Sequence, residues 1–459
     1  MLSVAQAASE CPERPALVSD EGVMSYRELA AEVQPRASWL LGLGLPHVAV
    51  VAQRRRESVL MMFAAIEAGI PLVLLHPRWS PSERRAALEQ VGAHLPVDED
   101  FVFPAAESGE AVAPVPTPAA IDPEQCLAVV FTSGSTGRPR GVLLSRRAMI
   151  AAAGASAAHL GWNEGDHWLV SLPLAHVGGF SILIRTLLAR RTAVLAAPGS
   201  PTAAELSAAI DRHGVTLMSL VPTTLARLLD QQPPWQPGPA LRAILVGGAG
   251  CPAGLSQRAH GRGWPVLLSY GMTETCGQVA TARLGAAPSD SGAIGPLLEG
   301  VQVRIEADEI LVAGPTVCSG FLAAEGSALD AQGRFHSGDL GSLDEAGDLV
   351  VLGRADARIN SGGEKVHPSE VEAAILSFPG VAEAAVVGVP DTRWGEAVAA
   401  GVQPADSVQL DVSALQSHLR QQLAPWKRPQ RLRLLAELPR TASDKVDRAR
   451  LRELLAPPS

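Results

Sequence analysis

Cysteine, net positive charge and uninterrupted apolar sequence are all scarce in this chain, and each scarcity narrows what it can be. The five cysteines (Cys11, Cys126, Cys251, Cys276 and Cys318) lie far apart and form no CxxC pair. Such spacing makes neither a disulfide framework nor a structural zinc site, and it suits a reducing compartment. Lysine and arginine number 38 against 47 aspartates and glutamates, a formal net charge of −9. That balance argues against a nucleic-acid binder relying on a broad basic surface. The run nearest to a membrane span, Val59 to Leu75, is interrupted by Glu67, Gly69 and Pro71, which breaks the apolar length a span requires. The opening MLSVAQAASECPERPA has no basic flank and no sustained apolar stretch, so it does not read as a secretory leader. The expectation is a soluble cytoplasmic protein with no nucleic-acid partner and no membrane span; a homo-oligomer is left open.

What is present is ample material for cores. The 459 residues are 47% hydrophobic and 19% charged, which excludes disorder as the whole-chain state and suggests about three domains or lobes. Gly 43 and Pro 36 have no fixed period and point to many turns. Ser25 followed by Glu28 has capping-box spacing and predicts a helix start. Continuous Val/Leu runs (HVAVVAQ, IPLVLLH, RTAVLAA, GVTLMSL, LRAILVGG, PVLLSYG) alternate with helical stretches such as SVLMMFAAIEAG and SPSERRAALEQVGAH. That texture predicts an α/β fold with a parallel-rich sheet. The Pro/Ala-rich stretch around 108–126 reads as a surface connector.

After about residue 300 the composition shifts to short strands divided by Gly and Asp, as in VQVRIEADEILVAG and GDLVVLGR. Beyond Arg354, SEVEAAILSF, VAEAAVVGVP and VSALQSHLRQQL form a unit of about 100 residues. The expected division is a large multi-lobed domain over 1–353, a joint at 354–356 and a small α+β lid over 357–459.

The most informative segment is AVVFTSGSTGRPRGVLLS, 128–145. An apolar strand leads into Thr132-Ser133-Gly134-Ser135-Thr136-Gly137, followed by Arg140 and a second strand. Hydroxyls and small glycines let backbone N–H groups curl around phosphate oxygens. Composition by itself leaves an ordinary Ser/Gly hairpin open. The segment is neither a Walker A loop nor a GxGxxG entrance.

FTSGSTGRPRG resembles the signature loop of the adenylate-forming superfamily, which includes acyl- and aryl-CoA synthetases, luciferases and the adenylation domains of peptide synthetases. Four more segments match it in order: SYGMTE, SGDLG, GRADARINSGGEKVHPSEVE and PRTASDKVDR. The resemblance implies a two-step reaction in which a carboxylate attacks the α-phosphate of ATP and a thiol then displaces AMP. ATP, Mg²⁺ and the co-substrate CoA come with it.

It further implies that Thr132–Gly137 and Arg140 cradle phosphate, that Tyr270 packs on adenine opposite Gly247, Gly248 and Ala249, and that Thr273 meets the α-phosphate. Glu274 would help to hold Mg²⁺, the hard oxygen ligand that ion prefers, and Asp339 with Arg354 would bind the ribose. Asp356 would be the hinge, Gly362 and Gly363 a loop beside the pantetheine tunnel, and Lys445 the catalytic cation. Outside the resemblance, Glu274, Arg354 and Lys445 read as surface charges and Asp339 as a turn residue. Two departures stand out. Arg140 replaces the usual Lys, and Asp444 the usual Gly before the catalytic lysine, which puts phosphate contacts and rate in question.

Substrate choice is read from WLVSLPLAHVGGFSILIRTLLARRTAVL, 168–195. Arg185 breaks the apolar run Phe180–Leu188, either as a snorkelling edge residue or as a buried partner for an anion. His176 either lines the acyl pocket or is a satisfied core histidine. PLAHVGGFSILIR, GMTETCGQVA and the short chain resemble the o-succinylbenzoate–CoA ligases of menaquinone biosynthesis, whose aromatic substrate carries two carboxylates. Ser181, Arg185, Val221, Thr223, Gly277 and Gln278 are the candidate pocket residues. A broader aryl- or short-acyl-CoA ligase and a non-catalytic nucleotide-binding module are the alternatives.

Overall fold

Val48–Val51, Leu72–Leu75, Thr192–Leu195, Leu217–Leu220 and Ala243–Val246 are buried at every position, as strands covered on both faces must be. In the computed structural model they form the centres of two parallel-rich sheets. The residues described are 1–92, 96–98, 101, 103, 115, 120–133, 139–289, 292–322, 328–361, 364–391, 393–405, 408–441 and 446–456.

The larger sheet has eight strands in the order Gly277–Thr281, Val266–Met272, Ala243–Val246, Leu217–Leu220, His167–Val170, Thr192–Leu195, Pro15–Ser19, Gly22–Ser25. Its interior pairs are parallel and each end is closed by an antiparallel hairpin. The second sheet runs Gly320–Phe321, Pro139–Ser145, Cys126–Ser133, Leu72–Leu75, Val48–Val51, Pro96–Val97. Here Cys126–Ser133 and Pro139–Ser145 pair antiparallel, with Thr132 opposite Arg140. The Ser/Gly segment therefore joins two strands of one hairpin, as the apolar run after it predicts. A third sheet of five antiparallel strands contains Phe335–Leu343 and Leu349–Arg354.

One continuous apolar core joins these three sheets and the helices between them. Capping chemistry sets several helix starts: at Tyr26–Gly42 both reciprocal bonds of the Ser25/Glu28 box form. Arg54, buried beyond Val48–Val51, donates to the carbonyls of Ser171, Ala197 and Gly199. It thereby ties the second sheet to the C-terminal edge of the first.

Between Arg354 and Ile359 the chain passes into a fourth sheet. There Val381–Asp391 and Gly395–Pro404 form a long antiparallel pair, flanked by Ile359–Ser361, Glu364–Val366 and the parallel strand Arg431–Leu434. The helices Pro368–Leu376 and Val412–Gln422 cover one face and Arg448–Leu455 the other, each with its own apolar cluster. Among the described residues no helix is long and apolar enough to cross a membrane.

Candidate active site

Ligand sites of parallel sheets form beyond the carboxyl ends of their strands, and the motif residues gather there. His76 ends Leu72–Leu75, and Gly247 follows Ala243–Val246. His176 and Val221 are the N-caps of helices Val177–Ala189 and Pro222–Leu229. Gly247 is small for a reason: a Cβ on it would stand 2.7 Å from the Ser269 carbonyl. Gly248 turns at φ +77° beside Val221, and Ala249 is exposed.

Tyr270 and Gly271 lie within the strand Val266–Met272, which runs further than PVLLS before the short 3₁₀ turn Thr273–Thr275. The extension exists because Gly277–Thr281 folds back on it antiparallel. A Cβ on Gly271 would fall 1.8 Å from the Gly277 carbonyl oxygen, so this crossing admits glycine alone. The turn half-buries Thr273 and leaves the Glu274 carboxylate 3.4 Å from Nη2 of Arg140. The Arg140 guanidinium also stacks 3.6 Å over the Phe321 ring. The planar guanidinium stacks flat on the ring while its edge N–H groups face the carboxylate. Thr132 hydroxyl reaches the Arg140 carbonyl at 3.4 Å.

Asp339 sits in a strand, not a loop, directly opposite Arg354 in the ladder. The Tyr270 hydroxyl donates to its Oδ2 at 2.7 Å, and Arg354 Nη1 approaches Oδ1 at 3.4 Å. Arg354 also donates to the Ser337 carbonyl, and its Nε lies 3.3 Å from the exposed Asp356. Burial raises the Asp339 carboxyl above its ordinary range, with Tyr270 and Arg354 opposing the rise. Burial and the neighbouring carboxylate push the Tyr270 phenol up as well, so it stays protonated and donates. The result is a half-buried acceptor with free lone pairs, suited to a pair of ligand hydroxyls.

Arg185 proves to be buried, not snorkelling. It is 4% exposed, its Nε has no hydrogen-bond partner among the described residues, and its guanidinium lies 5.2 Å from the centre of the Trp168 ring. Nη2 stands 3.6 Å from where a Cβ on Gly277 would be. Burial holds its pKa down at about 10, still charged at neutral pH. Gln278 Nε2 donates to Thr281 Oγ1 at 2.7 Å, while its buried Oε1 has no partner among the described residues. The buried Thr223 Oγ1 has none either. The Ser181 hydroxyl is turned back to the Gly178 carbonyl at 3.4 Å. Arg185 and the Gly277-Gln278 segment thus come together, and Val221 lies against Gly248.

His176 is half-buried, its ring centre 5.2 Å from that of His76. His76 escaped sequence reasoning, although a histidine closing an all-apolar strand was a usable signal. The expected sites at Gly134–Gly137, Gly362, Gly363 and Lys445, and the Ser133 side chain, lie outside the described residues. Among the described residues no cluster of three or more His, Cys, Asp or Glu side chains is placed to hold a metal. Glu274 by itself fits an ion that arrives with phosphate oxygens, the usual situation for Mg²⁺.

Residues 4–322 match the AMP-binding enzyme family and residues 370–445 the AMP-binding enzyme C-terminal domain. The chain is 34% identical to the 2-succinylbenzoate–CoA ligase of Bacillus pumilus over 473 residues, covering 96% of this chain and 95% of that one. It also superposes on the o-succinylbenzoate CoA synthetase of Bacillus subtilis in complex with its acyl-adenylate intermediate. There the TM-score is 0.88 and the identity 32%, over 98% of this chain and 97% of that one. The same enzyme with ATP and magnesium ion gives a TM-score of 0.86 at 32% identity, covering 98% of each chain.

Proposed function

The chain belongs to the AMP-binding enzyme family, and on that premise we propose that it is an ATP-dependent acid–thiol ligase for 2-succinylbenzoate. In the first half-reaction a carboxylate oxygen of the acid bonds to the α-phosphorus of ATP as the bond to pyrophosphate breaks. In the second, the sulfur of CoA bonds to the acyl carbon, the bond to AMP breaks and the thiol proton is lost. The products are succinylbenzoyl-CoA, AMP and pyrophosphate.

The observation that carries the substrate reading is Arg185: a buried guanidinium with no ion pair to a carboxylate among the described residues. A buried charge without a counter-ion costs several kcal/mol, on the order of the penalty for a broken buried pair. A substrate carboxylate that is retained through the reaction supplies the counter-ion, and 2-succinylbenzoate keeps one while the other is activated. Gln278 and Thr223 offer further unpaired polar atoms.

The remaining roles follow the family resemblance. Asp339, oriented by Tyr270 and Arg354, accepts the ribose hydroxyls; Gly247 and Gly248 leave room against the base. Thr273 and Arg140 hold phosphate oxygens and Lys445 stabilises charge that grows on the reacting carboxylate and phosphate. Bound Mg²⁺, with Glu274 as its carboxylate ligand, would neutralise and orient the polyphosphate. The large domain over 1–353 and the small one from 357 meet at a hinge at Asp356. Rotation there exchanges Lys445 for the Gly362-Gly363 loop between half-reactions. Support comes from the change of sheet between Arg354 and Ile359 and the exposed Asp356 side chain.

The test is CoA-thioester formation across an acid panel. 2-Succinylbenzoate should exceed benzoate and simple fatty acids in kcat/KM. Preference for benzoate or a medium-chain fatty acid would refute the substrate and leave the general ligase.

A further inference from the structure

In a strand, alternate residues share a face. Leu72 and Leu74 pack into the core common to the sheets, while Val73 and Leu75 pack on the opposite side. His76 continues the Leu72/Leu74 face just beyond the strand, and its ring meets that of His176, the N-cap of helix Val177–Ala189. It is 2% exposed. Its Nδ1 accepts the backbone N–H of Arg78 at 3.1 Å, which leaves the proton of the neutral ring on Nε2. Nε2 has no partner among the described residues. Burial pushes the imidazole down to about 4, so the ring is neutral and its lone N–H is fixed.

A buried N–H without an acceptor is destabilising, and such groups are rare without a reason. The neighbourhood supplies one. His176 begins the helix whose ninth residue is Arg185, an axial rise of roughly 13 Å. An arginine on a helix leans back toward the N-terminus. An acid held at Arg185 by one carboxylate can therefore extend its other end along the helix toward the histidine pair.

We propose that His76 is a substrate-binding residue whose Nε2–H donates to an oxygen of the carboxyl group being activated, at the end of the acid remote from Arg185. This rests on the acid-ligase reading above. A pantetheine amide carbonyl of CoA offers the same acceptor chemistry, so the test has two arms.

His76→Asn keeps an oxygen for the Arg78 N–H but is too short to donate from the Nε2 position; His76→Gln restores a donor there. Acid-dependent ATP–pyrophosphate exchange measures one arm, and CoA-dependent release of thioester from preformed acyl-adenylate the other. The Asn variant should raise KM for the acid about tenfold, the equivalent of one lost hydrogen bond. KM for ATP and for CoA should hold, and the Gln variant should recover most of the loss. An unchanged acid KM, or a rise in the CoA KM in its place, overturns the proposal. His76→Phe, which keeps the ring and lacks the donor, must give the same rise and serves if the Asn variant folds poorly. Wild-type protein that adenylates no aryl acid sinks the ligase reading and this proposal together. Wild-type activity with unaltered Asn-variant kinetics sinks this proposal by itself.

Discussion

The Tyr270 hydroxyl and the Asp339 carboxylate, 69 residues apart, share a 2.7 Å hydrogen bond across two sheets. The phenol favours the ionised carboxylate, against the burial that raises its pKa. Asp339→Ala should weaken AMP binding about 10²-fold in titration calorimetry, as two hydrogen bonds to a charged group are lost. Tyr270→Phe should act differently. With its donor gone, Asp339 takes up a proton at a higher pH, so AMP affinity should start to fall at a higher pH than in wild type. An unshifted pH profile would detach the tyrosine from the carboxylate.

Arg185→Leu should change activity and stability in opposite directions. Loss of the fixed cation should lower kcat/KM for 2-succinylbenzoate by about 10²–10³-fold and spare residual monoacid use, since a site built for a polar group discriminates strongly. Removing a buried charge that lacks a carboxylate should raise the melting temperature of the free protein. Added 2-succinylbenzoate should raise Tm in wild type and leave the variant unmoved. A variant that is destabilised, with both acids used equally poorly, would make Arg185 a packing residue.

Lys445→Ala should separate the half-reactions. Adenylation should drop roughly 10²–10⁴-fold, the range for one lost electrostatic or proton-handling group. Transfer to CoA from preformed acyl-adenylate should be largely spared. Equal losses in both steps would remove Lys445 from its assigned role.

His76 also makes an acid-range prediction. Its folded pKa of about 4 lies below the ordinary 6.5, so between those values the unfolded chain binds a proton that the folded one refuses. Stability is therefore complete above about pH 6.5 and lost as pH falls toward about 4. Urea midpoints at pH 7 and 4.5 should fall further apart in wild type than in His76→Gln. Identical gaps would rule the histidine out as a source of acid sensitivity.

Local order was largely legible in the sequence, because its signals are local. Unbroken Val/Leu runs mark strands buried on both faces, and Ser25 with Glu28 marks a helix start whose two bonds form. Contacts between distant segments leave no such trace. SGDLG reads as a turn because it is rich in glycine, yet its ladder with Leu349–Arg354 holds Asp339 opposite Arg354. Periodicity leaves Arg185 free to snorkel or to be buried; Trp168 and Gly277, brought from elsewhere in the chain, enclose it. His76 has no motif of its own and becomes informative once the start of helix Val177–Ala189 brings His176 to it.

The sheet that begins at Ile359 carries apolar clusters on both of its faces, built from its own strands and helices. A segment with that property has no need of the preceding chain to collapse. Excised near residue 357, it should refold cooperatively by itself, with a sigmoidal urea transition and dispersed amide resonances. A gradual, non-cooperative melt would show instead that it borrows its order from residues upstream. Such autonomy would also bear on synthesis: the segment from about residue 357 would fold once it has left the ribosome, on its own schedule and without waiting on the chain before it.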